Sequence, residues 1–271
     1  MSTAHKLLAQ SSDTARLDAE VLLSHCLRKD RAYLYTWPER EIDESMHQQF
    51  THLVSERAQG VPLAYLTGER EFWSLTFKVT RDTLIPRPET ELIVQLTLDL
   101  LAVTTGPVID LGTGSGAIAI SLASECPQLT IDAVDNSAAA LEVARHNAAH
   151  HGVNVHFIES DWFKNITRKG YQIIVSNPPY IDTSDPHLLQ GGLPYEPLAA
   201  LQAPDAGMAA INAIVANVSS YAAAGGWCLI EHGYQQATLV RESFKAAGLK
   251  RIRTEQDIEY RDRVTLGQLP A

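Results

Sequence analysis

Four short polar clusters in this sequence each follow an apolar run. The most chemically specific is Asn177-Pro178-Pro179-Tyr180. Proline has no N–H and a fixed φ, so this backbone turns rigidly and leaves its carbonyl oxygens free to accept. Asn177 adds a side-chain carbonyl. Two acceptors aimed at one –NH2 group, with an aromatic ring alongside, suit methylation of a planar, conjugated nitrogen. The lone pair of such a nitrogen is delocalised. Holding both N–H bonds favours pyramidal geometry and frees the lone pair toward a methyl donor. Positioning supplies roughly 7–11 kcal/mol of barrier lowering, and the acceptors stabilise charge developing on nitrogen. No strong base is needed, which makes Asn177 and the Pro178 carbonyl the candidate catalytic groups.

The other clusters can hold a nucleotide-like donor. Asp110-Leu111-Gly112-Thr113-Gly114-Ser115-Gly116 has the glycine spacing of a tight strand-to-helix turn that brings backbone close to a ligand. Gly112, Gly114 and Ala117 also satisfy the GxGxxA form of a nicotinamide fingerprint. Asp110 favours a different ligand. An acid two residues before the first glycine suits the cationic amino group of an amino-acid moiety better than a pyrophosphate, and loops of this type are typical of S-adenosylmethionine enzymes. Asp135 stands 19 residues past Gly116, an offset at which a carboxylate takes two ribose hydroxyls. Asp161-Trp162 can hold adenine by a hydrogen bond and by packing.

The elements that must position these clusters follow from periodicity. From residue 106 strand and helix patterns alternate. Strands are expected at Pro107–Leu111, Thr130–Val134, Val153–Ile158, Gln172–Val175, Trp227–Ile230, Lys250–Thr254 and Val264–Leu266. Helices are expected at Gly116–Ser124, Ser137–Ala149, Gly207–Ala223 and Gln235–Ala247. The pattern predicts an α/β fold, a Rossmann-like, seven-stranded, mostly parallel sheet. Glu255–Asp262 is too short for a crossover helix, so the last strand is antiparallel. All four clusters then fall at carboxyl ends of strands, where such sheets bind ligands. Residues 1–75 show three- and four-residue apolar steps, such as Leu17, Val21 and Leu22, and read as a small helical bundle with solvated charges on every helix. Residues 76–85 form a hairpin linker, and the catalytic domain is expected over 86–271.

Composition narrows the function. The net charge of −10 disfavours a partner held by non-specific phosphate contacts. Residues 1–80 hold 9 basic and 11 acidic side chains, against 13 and 21 in the remainder. Between Arg87 and Arg145 there are eight carboxylates and no Lys or Arg, so the negative excess surrounds the expected donor site. A polyanion is repelled there and a sulfonium cation attracted. Cys26, Cys126 and Cys228 form no CxxC pair, which points to reduced cysteines and no disulfide framework. Met1–Asp13 lacks the long apolar core of a signal peptide. Ala206–Ile230 carries no charge, but Asn212, Asn217, Ser219 and Ser220 interrupt it and Gly225-Gly226 splits it, so it reads as helix, turn and strand instead of a membrane span.

Taken together, Gly112–Gly116, Asp135, Asp161-Trp162 and Asn177–Tyr180 resemble the class I S-adenosylmethionine methyltransferases. More narrowly, the chain is similar to the bacterial release-factor glutamine methyltransferase family of the HemK/PrmC type. The resemblance extends through Gly60–Gly68, Phe72, Leu84-Ile85-Pro86-Arg87-Pro88-Glu89-Thr90-Glu91 and Tyr195-Glu196-Pro197. It implies S-adenosyl-L-methionine as cofactor and, as acceptor, the glutamine of a Gly-Gly-Gln loop in class I peptide-chain release factors. It further implies that Asp110, Gly112, Thr113, Gly114, Ser115, Gly116, Asp135, Asp161, Trp162 and Asn177 bind the cofactor. Asn177, Pro178, Pro179 and Tyr180 would grip the glutamine amide, with Arg87, Glu89 and Glu196 on the substrate side. A cytoplasmic monomer, with no direct nucleic-acid or membrane partner, is expected. One departure is visible: where the family has a glycine-richer turn, this chain reads Leu201-Gln202-Ala203-Pro204-Asp205-Ala206-Gly207. The residues also fit two other readings, an adenine or RNA methyltransferase using the same Asn-Pro-Pro-Tyr chemistry, and a nicotinamide-binding module using the glycine loop alone.

Three weaker features complete the reading. The long Ile181–Ala206 connection suits a substrate-covering loop. Glu142, His146 and His150 share a helix face and could bind a metal, but a solvated face is expected. His187 and His232 receive no role, and Arg251, Arg253, Arg261 and Arg263, interleaved with acids, suggest an exposed ion-paired hairpin.

Overall fold

A computed structural model describes residues 2–271. Met1, the first residue of the expected N-terminal domain, lies outside the described residues. Two compact units are present: Met1–Glu69 with Gln190–Tyr195, and Arg70–Leu189 with Glu196–Ala271.

The first unit contains α1 (Ser2–Leu8), α2 (Ala15–Leu27), α3 (Arg31–Thr36), α4 (Glu44–Ala58) and α5 (Leu63–Thr67). Asp30 and Asp43 cap α3 and α4 by accepting from Tyr33 N and Met46 N. Leu8, Ala19, Leu22, Phe50 and Val54 form its core. Two of its charges do not follow the solvated-face expectation. Asp18 is buried and accepts from Ser12, Thr14 and Arg57. Glu20 is buried under Arg31, Tyr35 and Arg16, and hydrogen bonds from Arg31 and Tyr35 hold its carboxyl down at about 2.

The second unit opens with the hairpin of β1 (Glu69–Phe72) and β2 (Leu75–Lys78), then α6 (Glu91–Leu101). There follow β3 (Val108–Leu111), α7 (Ala117–Glu125), β4 (Ile131–Asp135), α8 (Ala138–His151), β5 (His156–Glu159) and β6 (Tyr171–Ser176). After the short strands β7 (Ile181–Asp182) and β8 (Gln202–Ala203) come α9 (Ala209–Val215), α10 (Val218–Tyr221), β9 (Ala222–Glu231), α11 (Ala237–Ala246), β10 (Lys250–Gln256) and β11 (Asp262–Gln268). The seven-stranded sheet has the order β10-β11-β9-β6-β3-β4-β5. Only β11 runs against its neighbours, pairing antiparallel with both β10 and β9. This bears out the expected reversed final strand.

Alternation along the strands covers both faces. Val108, Ile173, Val175 and Leu229 pack with Ile93 and Val94 of α6 and Ile118 and Leu122 of α7. Ile109, Ile174, Cys228 and Ile230 pack on the other face with Ile211 and Ile214 of α9 and Val240 and Phe244 of α11. Because β4 and β5 extend to one side of β3 and β6 to the other, the strand order reverses at β3/β6, where ligands bind in such sheets.

The helix expected over Gly207–Ala223 is broken. It ends at Val215, restarts at Val218, and gives way to a ten-residue strand at Ala222. The strand passes through Gly225 and Gly226 instead of turning there. Gly225 has φ +73°, and a Cβ at Gly226 would stand 2.9 Å from the Tyr171 carbonyl, so only glycine lets β9 approach β6 at this irregularity.

Candidate active site

The four clusters converge at the carboxyl ends of β3, β4, β5 and β6. They surround a cavity of about 260 Å³ lined by Gly112, Gly114, Asp135, Trp162, Asn177 and Pro179, together with Arg81–Leu84, Asn136, Ser137, Ala140, Ser160, Pro197, Ala199 and Ala200.

The glycine turn is built for close approach. Gly112, Gly114 and Gly116 all have φ between +56° and +84°, the left-handed region that β-carbons disfavour. At Gly116 a Cβ would also meet Ile120 Cδ1 at 2.6 Å and Ala144 Cβ at 3.2 Å. Thr113 does not reach the cavity; its hydroxyl donates to Asp110 Oδ2 at 2.6 Å. Ser115 is buried, and its carbonyl accepts from Asn147, which ties the turn to α8.

Asp110 is fully buried, and its Oδ1 makes no hydrogen bond among the described residues. Burial, reinforced by the nearby Asp135 charge, pushes its carboxyl up to about 7. A buried carboxylate with an unused oxygen calls for an explanation, and a cationic amino group supplies one. Asp135 accepts from Gly114 N at 2.8 Å through Oδ2 and from Ser137 N at 2.9 Å through Oδ1. Each oxygen retains a lone pair, so two hydroxyls can be added. Burial raises its pKa, against these backbone bonds.

Trp162 is held at φ 47°, an unusual conformation for a bulky residue, and its ring stands over Gly112. Asp161 is exposed and does not line the cavity, whereas Ser160, one residue earlier, does. The donor set thus fits S-adenosylmethionine: a buried acid with one oxygen unpaired, an open glycine backbone, a ribose-type carboxylate and an aromatic wall.

On the acceptor side, Asn177 Nδ2 donates to Thr90 Oγ1 at 3.0 Å. This bond leaves Oδ1 as the atom available to accept. Pro178 is buried beside it, and Tyr180 is half-buried, with its hydroxyl donating to Glu231 Oε1 at 3.3 Å. Burial, with Glu231 charge nearby, raises the Tyr180 pKa, so the phenol keeps its proton. Arg87 and Glu196 do not line the cavity. They pair with each other, and Glu196 Oε2 also accepts from Ile85 N at 3.0 Å. The pair pins the Ile85–Arg87 segment to the chain just before Pro197, which does line the cavity. Glu89 is half-buried outside the cavity lining.

Sequence reasoning missed Thr90, Glu231 and the Arg81–Leu84 wall. Thr90 lay inside the quoted Pro-Arg-Pro-Glu-Thr-Glu run. Glu231 carried the signal that revealed Asp135, an acid at a strand end. In the departing turn after Ala203, Asp205 and Ala206 adopt positive φ as Gly207 does. Gln236 Nε2 donates to the carbonyls of Tyr180 and Ala206, both at 2.9 Å, which holds this turn against the Asn-Pro-Pro-Tyr segment. Within Ile181–Ala206, β7 pairs with β8, and Gln190–Tyr195 belongs to the first unit.

Glu142, His146 and His150 are exposed, and Glu142 pairs with Arg145. His187 pairs with Asp185, while His232 is buried with Nε2 bonded to Thr265. The arginine hairpin is only partly exposed. Arg253 and Arg261 pair with Glu255 and Glu259 at the surface, but Arg263 is half-buried and pairs with the buried Asp257. Among the described residues no helix is long and apolar enough to cross a membrane.

A Rossmann-like sheet with this donor cavity beside an Asn-Pro-Pro-Tyr acceptor turn defines a class I S-adenosylmethionine-dependent methyltransferase. Comparisons narrow the class. Residues 1–68 match the PrmC N-terminal domain model and residues 89–189 the methyltransferase small domain model. The release factor glutamine methyltransferase of Shewanella oneidensis is 45% identical over 98% of this chain and 93% of its own length. That of Escherichia coli is 44% identical over 96% and 94%. A solved methyltransferase from Pyrococcus furiosus shares the fold, with TM-score 0.56 at 13% identity over 84% of this chain and 100% of that one. The chain belongs to the release factor glutamine methyltransferase family, an enzyme family that uses S-adenosylmethionine.

Proposed function

We propose that this enzyme methylates the side-chain amide nitrogen of the glutamine in the Gly-Gly-Gln loop of class I peptide-chain release factors. The observation that carries the reading is the Asn177–Thr90 hydrogen bond, which occupies Nδ2 and leaves Oδ1 free to accept. Asn177 Oδ1 and the Pro178 carbonyl then take the two N–H bonds of the glutamine amide, while Pro179 and Tyr180 shape the pocket. S-adenosylmethionine, when bound, supplies an activated methyl group on a sulfonium. Asp110 would hold its ammonium, Asp135 its ribose hydroxyls and Trp162 its adenine, with the Gly112–Gly116 turn offering backbone beside them. Orientation carries most of the catalysis, on the order of 7–11 kcal/mol.

The N-terminal unit serves as the part that recognises the folded release factor, and the enzyme works as a cytoplasmic monomer. The acidic surround of the donor site supports a protein acceptor over a nucleic acid. The test is methyl transfer from labelled S-adenosylmethionine to purified release factor, run beside DNA and RNA. Labelled nucleic acid with unlabelled release factor overturns the reading. Asn177→Ala is expected to abolish most turnover while weakening donor binding modestly; near-normal turnover removes the amide grip.

A further inference from the structure

Glu231 ends β9 and takes no part in the chemistry described above. It is 1% exposed. Ile230 lies in register with Ser176, so Glu231 stands beside Asn177 at the next position across the strands. Its Oε1 accepts from Tyr180 at 3.3 Å, and Thr90, which is bonded to Asn177, lies beside the same carboxylate and favours its charged form. Oε2 has no hydrogen-bond partner among the described residues, so it is open to take the Thr90 proton.

This arrangement answers a question that the Asn177–Thr90 bond leaves open. A threonine hydroxyl can donate or accept. Thr90 alone would therefore satisfy either orientation of the Asn177 amide: accepting from Nδ2, or donating to Oδ1. In the second orientation Asn177 would present an NH2 group to the substrate NH2, donor against donor. An ionised carboxylate can only accept. If Glu231 takes the Thr90 proton, Thr90 must accept from Asn177, and Oδ1 must face the substrate.

We propose that Glu231 is a positioning residue, whose carboxylate, through Thr90, sets the Asn177 amide in the one orientation that can accept from the methyl-acceptor nitrogen. This deepens the proposed function and rests on it only in the identity of the acceptor. The same carboxylate fixes the Tyr180 hydroxyl, so one buried charge orders both ends of the Asn-Pro-Pro-Tyr turn.

The charge is also finely poised. Burial pushes the Glu231 carboxyl up to about 7, with Glu89 adding to the rise, while Thr90, Arg263 and Tyr180 oppose it. Those groups face it from the segment before α6, from β11 and from the turn after β6. His232, next on β9, is buried and its pKa is lowered, so it adds no cation near neutrality. Protonation of Glu231 releases the Thr90 proton to donate elsewhere and lets the amide flip. Turnover is therefore lost as pH falls through about 7.

The experiment compares wild type with Glu231→Gln, which fills the same space but can donate to Thr90. Single-turnover methyl transfer is measured from pH 6 to 9, together with donor binding by calorimetry and the melting temperature. The expected result is a fall in kcat of about 10- to 100-fold, in keeping with loss of one oriented hydrogen-bonding group. Donor Kd should stay within about twofold, the acid limb near pH 7 should disappear, and the melting temperature should not fall. Thr90→Val should lose a similar factor, Thr90→Ser should recover most of it, and the double variant Thr90→Val/Glu231→Gln should lose no more than either alone. Wild-type kcat in Glu231→Gln, an unchanged acid limb, additive losses, or a lowered melting temperature that accounts for the lost activity would each overturn the proposal. Its failure is distinct from failure of the acceptor assignment. If wild type labels nucleic acid and not release factor, the same comparison is made on that acceptor.

Discussion

Asp110 offers a test in which stability and binding must move in opposite directions. The perturbation is Asp110→Asn. In the wild-type enzyme without ligand, the carboxyl rises from 3.8 to about 7 because burial opposes its charge. Each unit is worth about 1.4 kcal/mol, so ionising this group costs the folded state on the order of 4 kcal/mol at pH 8. The sign follows from proton counting. Between about pH 4 and 7 the folded state holds a proton that the unfolded state has released, so stability falls as pH rises. Above about 7 the full penalty is present; below about 4 it is absent. Asparagine removes the penalty but places an NH2 where Oδ1 already lacks a partner, which takes back about 1–3 kcal/mol. The variant should therefore be about 1–3 kcal/mol more stable than wild type at pH 8 and no more stable at pH 4. Urea unfolding across that range, with tryptophan fluorescence as readout, gives two curves that converge or cross. Donor binding should weaken by about 10- to 100-fold, as expected for losing a charge-assisted hydrogen bond, and wild-type affinity should rise with pH through about 7 while the variant's stays flat. A variant less stable than wild type at pH 8, or one that binds the donor as well, refutes the reasoning.

Three further outcomes are expected. Gly116→Ala should destabilise by about 2 kcal/mol or more, because the left-handed φ and the 2.6 Å approach to Ile120 Cδ1 act together; Ile120→Val should restore part of the loss, read from the melting temperature. Glu196→Ala strips the partner from Arg87 and the acceptor from Ile85 N. Arg87 is partly exposed, so the cost should be about 1–3 kcal/mol in chemical denaturation, with a raised KM for the protein acceptor and little change in donor Kd. Trp162→Ala should weaken donor binding by about 1–3 kcal/mol, the scale of base–aromatic stacking, seen in calorimetry.

Much of the site was legible because its chemistry is local. Asn177-Pro178-Pro179-Tyr180 carries its backbone constraint in two prolines, and Gly112–Gly116 carries its left-handed turns in glycine. The strand ends that display them follow from alternating patterns, and all seven strands lie where those patterns put them, within a few residues. What the patterns missed depended on neighbours distant in sequence. The helix over Gly207–Ala223 breaks because β9 must begin at Ala222 to pair with Tyr171. Asp18 and Glu20 look like surface charges until Arg57, Arg31 and Tyr35 close over them. Arg87 and Glu196 are 109 positions apart, and only the fold pairs them.

The reaction class was already legible in the amino-acid order, since rigid turns and glycine loops are properties of short segments. The tertiary structure decided how those groups are oriented and charged. Thr90, Asn177 and Glu231 meet only where α6, β6 and β9 converge. Ionisation follows burial, and burial belongs to the folded chain as a whole.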